Sequence, residues 1–188
     1  MNTTALVIVI AVIAVAAVAI VLYFNNRSRR LRSKFGPEYS RAVEETGSKY
    51  RAESKLEKLE RRVEKFSIRA LPIEEANRFR DSWRAIQVGF VDNPKVALTD
   101  ADRLLAEVMQ TRGYPVADFE ERAAEISVNH ALVVDHYRAG HDIAIRHAQG
   151  RATTEDMRQA MIHYRTLFDD LVEAPETVRV KSATAGAR

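Results

Sequence analysis

The sequence predicts an all-α protein: an N-terminal transmembrane helix followed by a bundle of about five to six helices. Three observations carry this. Residues Ala5–Phe24 are twenty consecutive apolar residues. Beyond them, apolar side chains recur at spacings of three and four, the period of a helix with one buried face. No stretch alternates apolar and polar as a strand would.

The apolar run comes first. At 1.5 Å per residue, twenty residues span about 30 Å, the thickness of a bilayer's hydrocarbon core. Thirteen are Val, Ile, Leu or Phe, contributing at most about −4 to −8 kcal/mol to insertion at roughly −0.3 to −0.6 each. Ten are Val or Ile, weak helix formers in water, but in lipid the backbone has only itself to bond with. Tyr23 falls where an amphipathic ring meets the interface. A cleaved signal peptide fits less well, because Met1–Thr4 carries no Lys or Arg and the run exceeds a usual signal core. The charges lie on the other side, at Arg27, Arg29, Arg30, Arg32 and Lys34. That imbalance predicts a cell (inner) membrane protein with its N-terminus outside and its C-terminal domain cytoplasmic.

Charge divides the remainder. Residues 27–70 hold fourteen Lys/Arg against seven Asp/Glu, whereas residues 71–172 hold twelve against seventeen. A basic segment beside a membrane implies attraction to anionic lipid headgroups, with Arg27, Arg29, Arg30, Arg32 and Lys34 as the contact cluster. Nucleic acid is not expected as a partner, since glutamates interleave the later basic residues and no aromatic platform accompanies them. The expected organisation is a membrane anchor over 1–26, a basic amphipathic segment over 27–70, a helical bundle over 71–172 and a disordered tail over 173–188.

The helices follow in order. The first continues through the arginines to Gly36-Pro37, and Pro37 opens a short helix ending at Thr46. A helix over Ser48–Ser67 places Ala52, Leu56, Leu59, Val63 and Phe66 in a heptad seam, which would pack on its own domain or pair with a protein partner or a second copy. Glu57 and Arg61 stand one turn apart there. Pro72 opens a helix over Ile73–Phe90 with the stripe Phe79, Trp83, Ile86 and Phe90. Asn93 then caps, and Pro94 starts, a helix reaching Arg112 and burying Val96, Leu104, Leu105, Val108 and Met109. Gly113 supplies its left-handed end. Two helices are expected over Ala117–Ile126 and Asn129–Gln149. Thr153 and Asp156 form a capping box for the last, Thr154–Val172, whose inner face is Met157, Met161, Tyr164, Leu167, Phe168 and Leu171.

Chemistry is thinly signalled. There is no cysteine, which removes disulfides, thiolate metal sites and cysteine nucleophiles. No GxGxxG, GxxxxGK[ST] or GxSxG string occurs, so no cofactor and no catalytic residue is predicted. All five histidines fall between 130 and 163. His130 and His141 would share one face of a helix over 129–149, and His136 and His147 another, but no pair has the i,i+3 or i,i+4 spacing that grips a metal. The triplet His136-Tyr137-Arg138 recurs as His163-Tyr164-Arg165. His136, Tyr137, Arg138, His141, His163 and Arg165 are therefore the candidate polar site. The expected role is a protein-interaction or scaffold module at the inner leaflet. The alternative is a small ligand-binding or enzymatic bundle using the His130–Arg165 region.

Several strings stand together: Phe35-Gly36-Pro37-Glu38-Tyr39, Gln87 with Phe90-Val91-Asp92 and Pro94, Arg112-Gly113-Tyr114-Pro115, and His163-Tyr164-Arg165. On these the chain resembles an uncharacterised actinobacterial and acidobacterial family of single-pass membrane proteins with a helical soluble domain. The resemblance covers roughly residues 27–172 and implies that architecture. It implies no activity.

Overall fold

The computed structural model describes residues 3–115 and 117–173, and every regular element among them is a helix. They are α1 (Thr3–Phe35), α2 (Pro37–Thr46), α3 (Lys49–Val63), α4 (Ile73–Asp92), α5 (Pro94–Arg112), α6 (Phe119–Ser127), α7 (Val134–Ala148) and α8 (Thr154–Glu173). The chain divides into two compact units, Met1–Lys58 and Leu59–Arg188. The tail expected to be disordered lies, beyond Glu173, outside the described residues.

In the first unit, α1 is one unbroken helix of 33 residues, about 50 Å long at 1.5 Å per residue. It is long and apolar enough to cross a membrane. From Ile10 to Asn26 every residue is exposed, and then the helix changes character. Ser28, Leu31 and Phe35 are buried, with Tyr39 and Ala42 of α2 and Ala52 and Leu56 of α3. Thus α1 is bare from Ile10 to Asn26 and packed over its basic part.

The second unit is a five-helix bundle, α4–α8, with one continuous core. Asn93 ends α4 and caps α5, its side chain accepting from the Val96 amide at 3.3 Å. The Thr153–Asp156 capping box closes as its spacing predicts: the Thr153 amide donates to Asp156 at 2.8 Å, and the Asp156 amide to Thr153 Oγ1 at 3.1 Å. All six residues assigned to the inner face of α8 are buried. Trp83 of α4 stacks on Phe168 of α8 with ring centroids 4.8 Å apart and planes 17° apart.

Arg112 clasps three segments. Its guanidinium donates to the Arg69 carbonyl at 3.1 Å and the Leu171 carbonyl at 2.8 Å, while the Arg69 amide donates to the Arg112 carbonyl at 2.8 Å. The end of α5, the 64–72 connection and the end of α8 are thereby fixed to one another. Burial lowers the pKa of this guanidinium, because a charge away from water is disfavoured.

Several boundaries and faces differ from expectation, and four of the differences have a local reason. α3 stops at Val63 rather than Ser67: the Lys65 and Phe66 amides bond three residues back, at 3.1 and 3.0 Å, tightening the last turn until the chain leaves the helix. α6 starts at Phe119 rather than Ala117, since Asp118 caps it by accepting from the Glu121 amide at 2.9 Å. α7 starts at Val134 rather than Asn129, because the Asn129 and His130 amides both return to the Ile126 carbonyl and residues 128–133 form turns. Val96 is 52% exposed: it lies about 100° round the helix from Ala97, and the buried stripe of α5 runs through Ala97, Leu98 and Ala101.

Candidate functional site

The basic cluster is the first candidate. Arg27 turns inward: its Nε donates to Glu57 at 2.6 Å and its Nη2 to the same carboxylate at 2.9 Å, with Glu53 3.7 Å away. Glu57, read from the spacing as a partner of Arg61, is thus held by Arg27. Glu53 is itself buried and accepts from Ser28 at 2.5 Å and from the Tyr39 hydroxyl at 2.9 Å. Arg29, Arg30 and Arg32 are exposed and Lys34 is half-buried. The Arg32 guanidinium lies 5.3 Å from the Tyr39 ring centre. Of the five cationic residues, Arg27 is therefore part of an internal clamp, and the exposed positive charge sits further along α1.

The histidine region is the second candidate. The 149–153 connection folds α8 back along α7, and the two copies of the triplet meet across the pair. His136 Nδ1 and His163 Nδ1 are 2.9 Å apart, so one imidazole donates and the other accepts. Tyr137 and Tyr164 approach to 6.2 Å between ring centres, both fully buried. The two arginines diverge. Arg138 is buried and donates to Glu120 at 2.6 Å, whereas Arg165 is exposed and paired with Asp169 at 3.4 Å.

The other histidines lie elsewhere. His141 stacks on Phe119 of α6, centroids 3.4 Å apart. His130, expected on one helix face with His141, lies in the turns before α7 and contacts Asp170 through Nδ1. The six candidates thus do not share one pocket. No group of three or more metal-ligating side chains stands together among the described residues.

Two further charged residues, not evident from histidine spacing, act on this region. Asp102 of α5 and Arg122 of α6 act electrostatically on Tyr137, His141 and Tyr164 alike. A signal was available. Asp102 stands four residues after Leu98 and three before Leu105, and Arg122 three after Phe119 and four before Ile126. Both charges therefore sit on apolar stripes. Gly140 completes the arrangement: a Cβ there would lie 2.5 Å from the Tyr164 ring, so glycine lets that ring approach α7 this closely.

The histidine pair has a pH consequence. Burial lowers the pKa of His163, and His136 beside it lowers it further. Burial likewise lowers His141. A histidine whose folded pKa lies below its unfolded value favours folding while neutral, so this stability is present above about pH 6.5 and is lost as pH falls towards the folded value. Thermal unfolding of the full chain should show the midpoint falling as pH drops below about 6.5. His163→Gln, which cannot titrate there, should flatten that fall; an unchanged slope would show that the pair does not carry it.

No family model, no curated protein and no solved structure matches the chain.

Proposed function

We propose that the chain is a single-pass membrane protein, anchored by α1 with its N-terminus outside, whose helical domain lies in the cytoplasm as a protein-interaction or scaffold module. On this reading it belongs with the single-pass family whose strings it shares. The observation that carries the proposal is the composition of α1. One helix joins an apolar part, exposed from Ile10 to Phe24, to a basic part held by α2 and α3. Exposed apolar surface of that extent is unfavourable in water and favourable in lipid. The basic part then meets anionic headgroups through Arg29, Arg30, Arg32 and Lys34, while Arg27 secures the helix to α3.

An interaction role is supported by the uncovered apolar surface on the bundle. Val88 and Val91 of α4 are 72% and 83% exposed. A groove of about 180 Å³ lies between α4 and α8, lined by Gln87, Phe90, Arg158, Met161, Ile162 and Arg165. Enzymatic or ligand-binding use of the His130–Arg165 region is supported less, since beyond the His136–His163 pair the other site histidines, His130 and His141, lie in separate surroundings. Pairing of two copies through residues 48–67 is also supported less, since Ala52, Leu56 and Val63 are already buried within the chain.

Orientation is the direct test. A reporter fused after Arg188 should be active only in a form that works in the cytoplasm. Activity of a reporter that matures only outside the membrane would overturn the topology.

A further inference from the structure

His136 and His163 meet head on. Their Nδ1 atoms are 2.9 Å apart and their ring centres 5.2 Å apart. The nitrogen gap therefore leaves little more than the two centre-to-nitrogen lengths of the rings, so both nitrogens lie close to the line joining the centres. That is the geometry of a straight N–H···N hydrogen bond. It has room for a proton and for nothing larger: a metal ion bonded to both nitrogens along this line, at about 2.0–2.1 Å each, would hold them about 4 Å apart. Both rings are half-buried, so the bond is sheltered while solvent still reaches the pair.

The proton states of such a pair follow from its valences. In the neutral pair the donor ring carries its hydrogen on Nδ1 and has a bare Nε2, and the acceptor ring carries its hydrogen on Nε2. A first added proton goes to the bare Nε2. The donor ring becomes an imidazolium, and the Nδ1–H···Nδ1 bond survives and gains charge assistance. A second added proton has only the accepting Nδ1 to land on. Two N–H groups and two positive charges then face each other, and the bond is lost. The helix adds to the cost, since His136 stands in the first turn of α7, where the dipole disfavours a cation. No side-chain cap secures that turn.

We propose that His136 and His163 form a one-proton switch between α7 and α8: with one added proton the pair ties the two helices together, and with two it drives the first turn of α7 away from α8. The charges on the surrounding helices are engaged elsewhere. Asp102 of α5 and Arg122 of α6 act on His141. Arg84 of α4 pairs with Asp81, Arg138 of α7 with Glu120 and Arg165 of α8 with Asp169. Asp135 neighbours His136 but points about 100° away round α7. Burial first, and His136 second, hold the His163 pKa low. Below about pH 6.5 an unfolded chain protonates both rings while the folded pair keeps one added proton, so stability at this pair falls with pH through the second step.

The test is ring-nitrogen NMR of the full chain in detergent micelles, with nitrogen-15 histidine, from about pH 8 downward through pH 5. The parent pair should titrate in two steps more than about one pH unit apart. A nitrogen–nitrogen coupling across the bond should persist through the first step and vanish at the second, when the amide signals of residues 134–137 should move. His136→Gln and His163→Gln should each leave the remaining ring a single step with a displaced midpoint. Independent single-step titrations of the two rings in the parent, a coupling that is absent or lost with the first proton, or a remaining ring whose midpoint the substitution leaves unchanged would each overturn the proposal. Should a variant fail to fold, the parent's own titration and coupling decide.

Discussion

Trp83→Ala should cost the bundle roughly 3–5 kcal/mol, through lost transfer energy and the cavity left behind. That is a large share of the 5–15 kcal/mol that holds a typical domain together. Trp83 is 4% exposed and stacks on Phe168 at 4.8 Å, so alanine would strip one face of Phe168 as well as vacating its own volume. The indole Nε1 has no hydrogen-bond partner, so little of the loss is polar; Trp83→Phe should retain most of the stability. Trp83 is the only tryptophan, which makes its fluorescence a direct readout. Emission should be blue-shifted and resist iodide quenching in the native chain. Red-shifted, freely quenched emission, with Trp83→Ala unfolding at the parent temperature, would place the indole on an interaction surface.

Gly113→Ala should destabilise the bundle by roughly 2–6 kcal/mol, from a strained backbone and a steric overlap of about 1–3 kcal/mol each. Gly113 has φ 99°, and a Cβ there would lie 2.5 Å from the Ser67 carbonyl oxygen. That oxygen belongs to backbone, so relief means moving the 64–72 connection away from α5 and lengthening the 2.8 Å bond from the Arg69 amide to the Arg112 carbonyl. Gly47 is the control. It also has a left-handed φ, 62°, but an added Cβ there meets nothing within 4 Å. Gly47→Ala should therefore show the backbone component alone, about 1 kcal/mol. Equal losses from the two substitutions, read as thermal midpoints, would show that the Ser67 contact is not felt.

These two sites also mark what can be read from sequence. Asn93-Pro94, Gly113 and the Thr153–Asp156 box are local devices. Each acts on backbone within a few residues, so identity and spacing were enough to place helix ends. The stripe of α8 was legible because its six inner residues keep the helical period without interruption. The break before Val134 was not: residues 128–133 contain neither glycine nor proline, and one participant, His130, is held from α8 by Asp170. The candidate site was legible only in part. The repeated triplet was visible, yet that its copies face each other follows from how α8 folds back on α7. Asp102 and Arg122 stand on apolar stripes, yet that both act on Tyr137 and Tyr164 follows only from how α5 and α6 pack.

The unbroken course of α1 has a mechanical consequence. Between Thr3 and Phe35 the helix contains neither glycine nor proline, the residues at which kinks usually arise. Its apolar part and the clamp formed by Arg27 and Ser28 on Glu53 and Glu57 therefore share one angular phase. Torque applied to one end reaches the other without a swivel to absorb it. An inserted residue just before Arg27 would turn the apolar part by about 100° relative to the clamp. Seven inserted residues would bring it back to within about 20° while moving it about 10 Å along the axis. Rotation and distance are thus separable in this helix, and the first unit is geared to its apolar part as a crank is to its shaft.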